Sequence, residues 1–516
     1  MMRLQCIGAV LVLATATIAG AQAQMAGPSP QPASRSTPIP LSGRQQSGTV
    51  TTQQSAQPGG GGSVDVVSPS IQVQGPYAGS VRDPSVTGSL ALSLVEAVRR
   101  GLEFNLGQIG ASAALRQARA QRREELADLL PAVSASASET GAKVDLQAEG
   151  LSASTLSSFG SLGLAFPTTV GPFHYYQAAA NVSDNLLNLT ALHNLRSAAA
   201  NAQGSQLNAQ NTREAVVLAV CGSYMQVLAS EALLAYQKDQ VRYAQASYDQ
   251  AAAQYQAGTK AQIDSTRSLV QLHSEQERLA SELADARKQK LLLARLIGIP
   301  LDAEITLTSK MNSATTVPLP LDAALRQALS SRQDLKVAEA QLRVAEEALK
   351  AARSERLPTA AVQGNYGIEG VNPNKGTNVF SGTASVNLPI FNGGRIQADT
   401  DQANAAVVQR RAEIEDQRGQ VELDVRNTYL DLEVATGQVK LAAENRVLAL
   451  DTLRQSLDRF TAGVADSVEV VQSQEILGSA NRDYVNALYA ENLARISLAR
   501  AMGEAEQSVP TLLQEK

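Results

Sequence analysis

The sequence predicts a mainly α-helical fold that carries a small membrane β-sheet and is built from a tandem duplication of long helical hairpins. Three observations predict it. Related segments occur twice in the same order, two very long stretches keep helical periodicity, and four short segments alternate small or apolar residues with polar ones. Together they indicate one order of helices and strands that occurs twice along the chain.

The duplication is visible in two pairs of segments. "LSLVEAVRRGLEFN" at 92–105 resembles "LPLDAALRQALSSR" at 319–332, and "LARLIG" at 293–298 resembles "LARAMG" at 498–503. The first copy is longer because it carries additional residues between Pro131 and its next helix.

The N-terminal end predicts export followed by an unfolded segment. A basic residue, an apolar run and the small-x-small tripeptide "AQA" are typical of a cleavable secretory signal peptide. The next stretch is rich in Pro, Gln, Ser and Gly and has little apolar surface to bury, which predicts an extended or disordered leader. The predicted domains are a signal peptide at 1–23, a leader at 24–89, a first repeat at 90–318, a second repeat at 319–508 and a C-terminal tail at 509–516.

Each repeat is predicted to contain three helices in the same order. The first helix ends at a Leu-Pro pair, because proline stops the preceding helical turn. The second is a helix of about 100 Å, called the rod from here on. A helix of this length needs other helices packed along it. Numerous alanines and a regular apolar pattern predict antiparallel coiled-coil packing, with the first and last helices stacked end to end beside the rod. The predicted rods cover about 190–256 and 394–461, and the last helices about 263–297 and 468–502.

Four alternating segments between the helices predict membrane β-strands. Alternation with low overall hydrophobicity is typical of strands with lipid on one side and water on the other. A soluble surface hairpin is the commoner explanation for any one segment, but four at matched places favour a membrane sheet. The segments are "AVSASASE" at 132–139, "YQAAANVS" at 176–183, "AVQGNYGIE" at 361–369 and "TASVNLP" at 383–389.

Four strands cannot cross a bilayer alone, because open edges would leave peptide groups unpaired in hydrocarbon. A ring of three chains would supply about twelve strands, within the range of outer-membrane barrels. We find no apolar run of about 18 residues after the signal peptide, so transmembrane helices are not predicted.

Taken together, these features resemble the TolC-type outer-membrane efflux protein family over nearly everything after residue 90. The resemblance implies a homotrimer in which a twelve-stranded barrel in outer-membrane lipid continues into a periplasmic α-helical tunnel. It also implies docking of the hairpin tips to a periplasmic adaptor and an inner-membrane transporter. The residues that carry the resemblance are the duplicated segments at 92–105 and 319–332, the Leu-Pro pairs at 130–131 and 357–358, "VNLPIFNGGR" at 386–395, the paired Tyr224 and Tyr429, and the paired Gly258 and Gly463.

The hairpin tips are the first candidate site. Gly258 and Gly463 suit the position just past a helix end, where a left-handed conformation favours glycine. Tyr255 and Phe460, three residues earlier, are expected to pack under each turn. A plain helical turn explains these residues equally well; adaptor docking is implied by the resemblance.

The second candidate site is a pore constriction after the second tip. By resemblance, the run "SVEVVQS" presents Glu469, with Asp466 and Gln472 beside it, to the closed end of the tunnel. Three Glu469 carboxylates around one axis would attract cations. Alternatively, Glu469 lies in the first turn of a helix only because the macrodipole stabilises a carboxylate there, by about 0.3 to 1 kcal/mol. Asp264 in the first hairpin fits that second interpretation better.

Other functions find little support in the sequence. A net charge of −5 without a basic cluster argues against nucleic acid as a partner. His174, His193 and His273 are scattered, and no catalytic, metal or phosphate-binding constellation stands out, so an enzyme, a cofactor or a metal site is not predicted. The competing hypothesis is a periplasmic adaptor or structural protein with long helical hairpins and no barrel.

Overall fold

The computed structural model describes residues 49–57, 66–86, 88–148, 168–313 and 319–512. The predicted signal peptide, parts of the predicted leader and C-terminal tail, and many of the additional residues after Pro131 lie outside the described residues.

Nine α-helices lie in the described part of the chain, and the long ones begin and end within about a residue of their predicted positions. They are α1 (Leu94–Phe104), α2 (Leu106–Ala127), α3 (Leu189–Gln256), α4 (Gln262–Ile297), α5 (Leu321–Ser331), α6 (Gln333–Ser354), α7 (Arg395–Thr461), α8 (Ser467–Ala501) and α9 (Ala505–Leu512). The strands are β1 (Val50–Gln57), β2 (Val66–Val73), β3 (Ser89–Leu92), β4 (Ala132–Asp145), β5 (Thr169–Leu187), β6 (Glu304–Leu307), β7 (Thr359–Gly370) and β8 (Thr377–Asn387).

The rods α3 and α7 carry the packing that the apolar pattern predicts. Helix α3 contacts α1 and α2 along one part and α4 along the other, and α7 contacts α5, α6 and α8 in the same way. Helices α6 and α8 also contact α3, so the two repeats share one helical scaffold.

The first helix of each repeat is broken, which corrects the prediction of one continuous helix. In the first repeat the break is at Asn105, where the backbone is extended at φ −66° and ψ 133°. The buried side chain of Asn105 accepts a hydrogen bond from Gly107 N at 2.9 Å and donates to the carbonyl oxygens of Tyr77 and Leu296. In the second repeat Arg332 occupies the break, with φ −57° and ψ 128°, and its guanidinium donates a hydrogen bond of 2.9 Å to Asp424 Oδ2 of α7. Contacts with distant segments therefore stabilise both breaks.

The largest hydrophobic core lies halfway along α3, where α1, the end of α4 and the β3–β6 pair meet it. Tyr224 is fully buried there and donates a hydrogen bond of 2.9 Å to Leu92 O. The connector after the first repeat, which contains β6, is therefore tied to the middle of the rod.

One part of α3 corrects the expectation about apolar runs. An 18-residue window of this helix has a mean hydropathy of 1.5 and could cross a membrane by length and composition alone. However, 72% of that window is buried inside the protein, so we interpret it as core.

The leader prediction is wrong for part of the segment. Strands β1 and β2 form an antiparallel hairpin that packs on α3 and α8. Val50 is buried, and a Cβ atom on Gly222 of α3 would lie only 2.5 Å from Ile71 Cδ1. The few apolar residues of the leader suffice because a glycine leaves room for one of them on the helix surface.

The predicted boundary at residue 508 falls inside α9. This helix is fixed to α3 because Glu214 Oε2 accepts a hydrogen bond of 2.7 Å from Ala505 N, and Arg213 pairs with Glu506. The chain therefore stays helical and attached to α3 past the predicted end of the second repeat.

The four predicted membrane segments form one antiparallel sheet in the order β4-β5-β7-β8. Each of its strands is longer than the predicted segment, because backbone pairing continues through Gly and polar residues where the alternation fades. Sheet β4-β5-β7-β8 has no further strand partner at either edge within the described residues.

Candidate functional site

The two hairpin tips have the same backbone geometry. Gly258 has φ +71° and Gly463 has φ +75°, and their amides donate to the carbonyl oxygens of Tyr255 and Phe460 at 2.9 and 3.1 Å. In both tips the following amide bonds to the carbonyl oxygen five residues back, at 3.0 Å, which completes a Schellman motif. The sequence therefore identified both turns correctly.

Neither glycine is required by its neighbours. A Cβ atom added to Gly258 or Gly463 would meet no described heavy atom within 4 Å. The left-handed backbone alone favours glycine at these positions. The tips are consequently open on the outside, where a partner protein has access to them.

The aromatic residues at the two tips, Tyr255 and Phe460, differ in burial. Phe460 is 2% exposed and packs in a cluster with Leu453, Val470 and Leu477 between α7 and α8. Tyr255 is 44% exposed, so the expectation that it packs under its turn is wrong. The second hairpin has an apolar anchor at its tip, while the first presents an aromatic side chain to solvent.

Asp466 and Ser467, at the start of α8, have different roles. Asp466 Oδ1 accepts a hydrogen bond of 3.1 Å from Glu469 N, so Asp466 is the N-cap. Ser467 is buried and donates to Asp264 Oδ1 of the first hairpin at 3.0 Å. One residue therefore begins the helix, and the next joins the two hairpins.

Glu469 has a partner that sequence analysis missed. Arg459 Nε, in the last turn of α7, lies 3.0 Å from Glu469 Oε1, and both side chains are substantially exposed. Such an exposed pair contributes little stability, but it offsets part of the negative charge at this point. The clue in the sequence was a basic residue just before a tight turn and an acidic one just after it.

Gln472 lies one turn after Glu469 on α8 and is exposed. Residues three apart share a helix face, so Gln472 and Glu469 present a polar surface on the same side of α8. Asp466 precedes Glu469 by the same spacing and is also exposed. The three predicted constriction residues therefore form one short polar stripe.

Above the tips, polar contacts join the two hairpins. Arg278 Nη1 of α4 lies 3.0 Å from Glu475 Oε1 of α8. Further up, the guanidinium of Arg446 lies 5.3 Å from the ring centroid of Tyr236 and 5.0 Å from that of Tyr484, so it bridges α3, α7 and α8. Such contacts between distant segments have no local signature in the sequence.

At the other end of the rods, sheet β4-β5-β7-β8 has one apolar and one polar face. The hydrogen-bonding register places odd-numbered residues of β4 on the same face as even-numbered residues of β5, β7 and β8. The apolar face carries Val133, Ala135, Ala137, Ala178, Ala180, Val182, Val362, Tyr366, Ile368, Phe380, Ala384 and Val386. The other face carries Ser134, Ser136, Ser138, Gln177, Asn181, Ser183, Gln363, Asn365, Glu369, Ser381, Thr383 and Ser385.

A metal ion has no visible site in the part of the chain that the structure describes. No group of three or more His, Cys, Asp or Glu side chains there could hold a metal ion. Two of the histidines instead pair singly with a glutamate, His174 with Glu139 and His193 with Glu347.

Comparison with known proteins gives consistent matches. The model of the outer membrane efflux protein family matches residues 110–299 and 324–504. The probable efflux pump outer membrane protein TtgC of Pseudomonas putida is 25% identical over 408 residues, covering 75% of this chain and 77% of that protein. The outer membrane protein TolC of Vibrio cholerae is 23% identical over 347 residues, covering 64% of this chain and 78% of that protein.

A solved structure supports the same fold. The CmeC outer membrane channel of Campylobacter jejuni superposes with a TM-score of 0.70 at 16% sequence identity, covering 80% of this chain and 86% of CmeC. At this identity the likeness concerns the fold, including the long rods and the strands between them.

Proposed function

The chain belongs to the outer membrane efflux protein family, and from this premise we propose that three copies form the exit channel of a tripartite efflux system. As a member of that family it is an outer-membrane efflux protein and not an enzyme. The observation that carries the proposal is sheet β4-β5-β7-β8, which has an apolar face, a polar face and two edges with no partner in the described residues.

The edges require other copies of the chain. In hydrocarbon, each unpaired peptide group costs on the order of several kcal/mol, because neither water nor protein satisfies it. Strand β4 of one copy and strand β8 of the next would pair these edges, and three copies would close about twelve strands. The apolar face would then contact lipid, and the polar face would line the lumen.

Exposed apolar stripes on the rods support the same assembly. On α7, four large apolar side chains at heptad-like spacing are each more than half exposed: Leu430, Val434, Leu441 and Leu448. On α4, Ile263, Val270 and Leu291 form a second exposed stripe. Two different stripes on one chain fit a head-to-tail ring, in which each rod of one copy covers a rod of the next.

The length of the rods supports docking at the tips. At 1.5 Å per residue, the 68 residues of α3 extend about 100 Å from the sheet. The tips at Gly258 and Gly463 would thus lie far into the periplasm, where an adaptor and an inner-membrane pump are within reach. The exposed Tyr255 and the open surface around both glycines suit a protein partner, and the buried Phe460 would hold the second tip in shape.

The pore constriction is the most detailed part of the proposed function. The polar stripe of Asp466, Glu469 and Gln472 would face the axis at the periplasmic end of the tunnel. Because Gln472 is neutral, the ring of charge would be weaker than a ring with two acidic residues per copy. The pair of Arg459 with Glu469 would weaken it further.

The decisive experiment is purification and reconstitution of the mature chain. We expect trimers that require detergent and that produce stepwise conductance in planar bilayers. A monomer that stays soluble without detergent would overturn the channel and favour the adaptor hypothesis. A conductance that is absent from matched preparations of a variant lacking β7 and β8 would assign the steps to the sheet.

A further inference from the structure

Strand β1 forms one wall of a cavity of about 320 Å³ beside the middle of the rods, called the charged cavity from here on. Its other walls come from α3, α7 and α8 and from the break between α5 and α6. A cavity of this size is large enough for a small organic ligand. The ionisable side chains that line it are Glu214, Arg332, Asp334, Asp424, Asp431 and Arg500.

Most of these charges already have partners within the protein. Arg332 pairs with Asp334 and, at 2.9 Å, with Asp424. Glu214 accepts a hydrogen bond of 2.7 Å from Ala505 N. These groups therefore fix the walls of the charged cavity and are not available to a ligand.

Arg500 and Asp431 are the exceptions. Within the described residues the guanidinium of Arg500 makes no ion pair or hydrogen bond, and its Nε atom is buried without a partner. Burial, followed by the nearby charge of Arg332, lowers the pKa of Arg500. The carboxylate of Asp431 also has no hydrogen bond or ion pair in the described part of the chain. A buried charge without a partner is unfavourable, and a ligand of opposite charge removes that cost.

Both charges are within reach of one small molecule. Helices α7 and α8 run antiparallel, and Leu432 of α7 packs with Leu498 of α8. Asp431 is next to Leu432 in the chain, and Arg500 is two residues after Leu498. At about 1.5 Å per residue, Asp431 and Arg500 therefore lie within about one helical turn of each other along the rods.

An apolar annex adjoins the charged cavity. It has a volume of about 120 Å³, and Thr52, Asp431 and Ser497 border both spaces. The hydroxyl oxygen of Ser497 is buried without a partner. A short apolar group in the annex would thus lie beside Asp431. The apolar lining of the annex includes Leu430, Val434, Ala490, Leu493 and Ala494.

We propose that the charged cavity and its annex bind an apolar α-amino acid, with its carboxylate on Arg500, its ammonium on Asp431 and its side chain in the annex. A zwitterion pairs both charges at once, whereas a simple anion or cation would leave one of them unpaired. The site does not depend on closure of the barrel. In the proposed ring, the next copy would cover Leu430 and Val434 and close the annex over the ligand.

A set of small molecules tests the site on the purified chain in detergent. L-Leucine carries both charges and an apolar side chain. L-Leucinamide lacks the carboxylate, 4-methylpentanoate lacks the ammonium, and glycine lacks the side chain. Saturation-transfer NMR detects weak binding, and competition with L-leucine ranks the affinities. We expect each of the other compounds to bind about tenfold or more weakly than L-leucine, because each loses one of the proposed contacts.

Variants of the chain test the two charges. Asp431→Asn and Arg500→Gln should each weaken the binding of L-leucine by about tenfold. Glu433→Gln is the matched control, because Glu433 is exposed on α7, two residues from Asp431, and lines neither space. Circular dichroism checks that each variant is folded. If Arg500→Gln does not fold, Asp431→Asn decides the test, since Asp431 is only partly buried.

Several results would overturn the site. If L-leucine does not bind to the wild type, water or a side chain of the next copy fills the cavity. If L-leucine and 4-methylpentanoate bind equally, apolar contact alone holds them. If Asp431→Asn binds L-leucine as tightly as the wild type, the ligand lies elsewhere. None of these results bears on the barrel, which the conductance experiment tests separately.

Discussion

Ser467 and Asp264 join the two helical hairpins near their tips through a hydrogen bond of 3.0 Å from Ser467 Oγ to Asp264 Oδ1. Ser467 comes directly after the N-cap of α8, and Asp264 lies in the first turn of α4. The bond links corresponding turns of the two repeats, so the second hairpin cannot move away from the first without breaking it.

Replacing Ser467 by alanine should loosen the first turns of α4 and α8. The lost bond is worth about 1 kcal/mol, which corresponds to roughly fivefold faster amide exchange from local opening. Hydrogen exchange of the tip segments measures the effect. Thr266→Ala is the matched control, because the Thr266 hydroxyl bonds only to Gln262 O of its own helix. Equal exchange in wild type and Ser467→Ala would contradict a linking role.

Glu469 and Arg459 should have opposite effects on ion selectivity. If the carboxylate faces the pore, Glu469→Gln lowers cation selectivity and sensitivity to divalent block in planar bilayers. Arg459→Gln should raise cation selectivity, because it frees Glu469 from its partner at 3.0 Å. Asp264→Asn serves as the control and should change little. Identical currents from wild type and Glu469→Gln would remove Glu469 from the pore.

Substitution of a tip glycine should impair docking without preventing assembly of the trimer. A β-branched residue at Gly463 has to adopt φ near +75°, at a cost of at least about 1 to 2 kcal/mol, and the turn should distort. Site-specific crosslinking to the adaptor measures docking, and detergent-resistant trimers measure assembly. Gly478→Ala is the control, because Gly478 lies within α8 and an added Cβ atom would meet its neighbours only at ordinary contact distances of 3.8 to 4.0 Å. Unchanged crosslinking in both Gly463→Val and Gly258→Val would count against docking at the tips.

The two tip aromatics should separate stability from binding. Phe460→Ala removes a buried ring and should destabilise the tip by about 3 to 5 kcal/mol, seen as rapid proteolysis near Arg459. Tyr255→Ala removes an exposed ring and should change stability by no more than about 0.5 kcal/mol, while weakening adaptor crosslinking. Resistance of Phe460→Ala to protease, or full crosslinking by Tyr255→Ala, would show that the corresponding assignment is wrong.

The pH dependence of stability should report a buried ion pair between Asp83 of the predicted leader and Arg100 of α1. Hydrogen bonds from the Ser85 hydroxyl and amide, together with Arg100 Nη1 at 3.0 Å, hold the pKa of Asp83 below its ordinary value. A carboxyl group with a lowered pKa in the folded state stabilises the protein above the unfolded pKa of about 3.9, and this contribution is lost as the pH falls through the folded pKa. Asp83→Asn should therefore lower the melting temperature at neutral pH, and the difference should shrink in strong acid.

Thermal unfolding at neutral and acid pH measures this difference. Asp302→Asn is the control, because the pair of Asp302 with Arg82 is long, at 3.7 Å, and highly exposed. If the melting temperatures of wild type and Asp83→Asn differ by the same amount at all pH values, Asp83 acts through packing and not through its charge.

Sequence alone determined the elements and their repetition. Helical period and strand alternation are local properties, so the rods, the hairpin turns at Gly258 and Gly463, and the four sheet strands could all be located from neighbouring residues. The left-handed turns could also be predicted from the sequence. Glycine is favoured at these two positions by the local backbone conformation alone, and not by contacts with distant residues.

Tertiary structure alone decided what each element contacts. Asn105 breaks its helix because its side chain binds the carbonyl oxygen of Leu296, and Ser467 joins Asp264 of the other hairpin. These pairs are close in space but almost two hundred residues or more apart in the chain, and no local pattern encodes such a distance. For the same reason, the sequence could not show that Tyr255 and Phe460 differ in burial. Both aromatics stand three residues before their glycine, but only the packing of α7 on α8 buries one and leaves the other exposed.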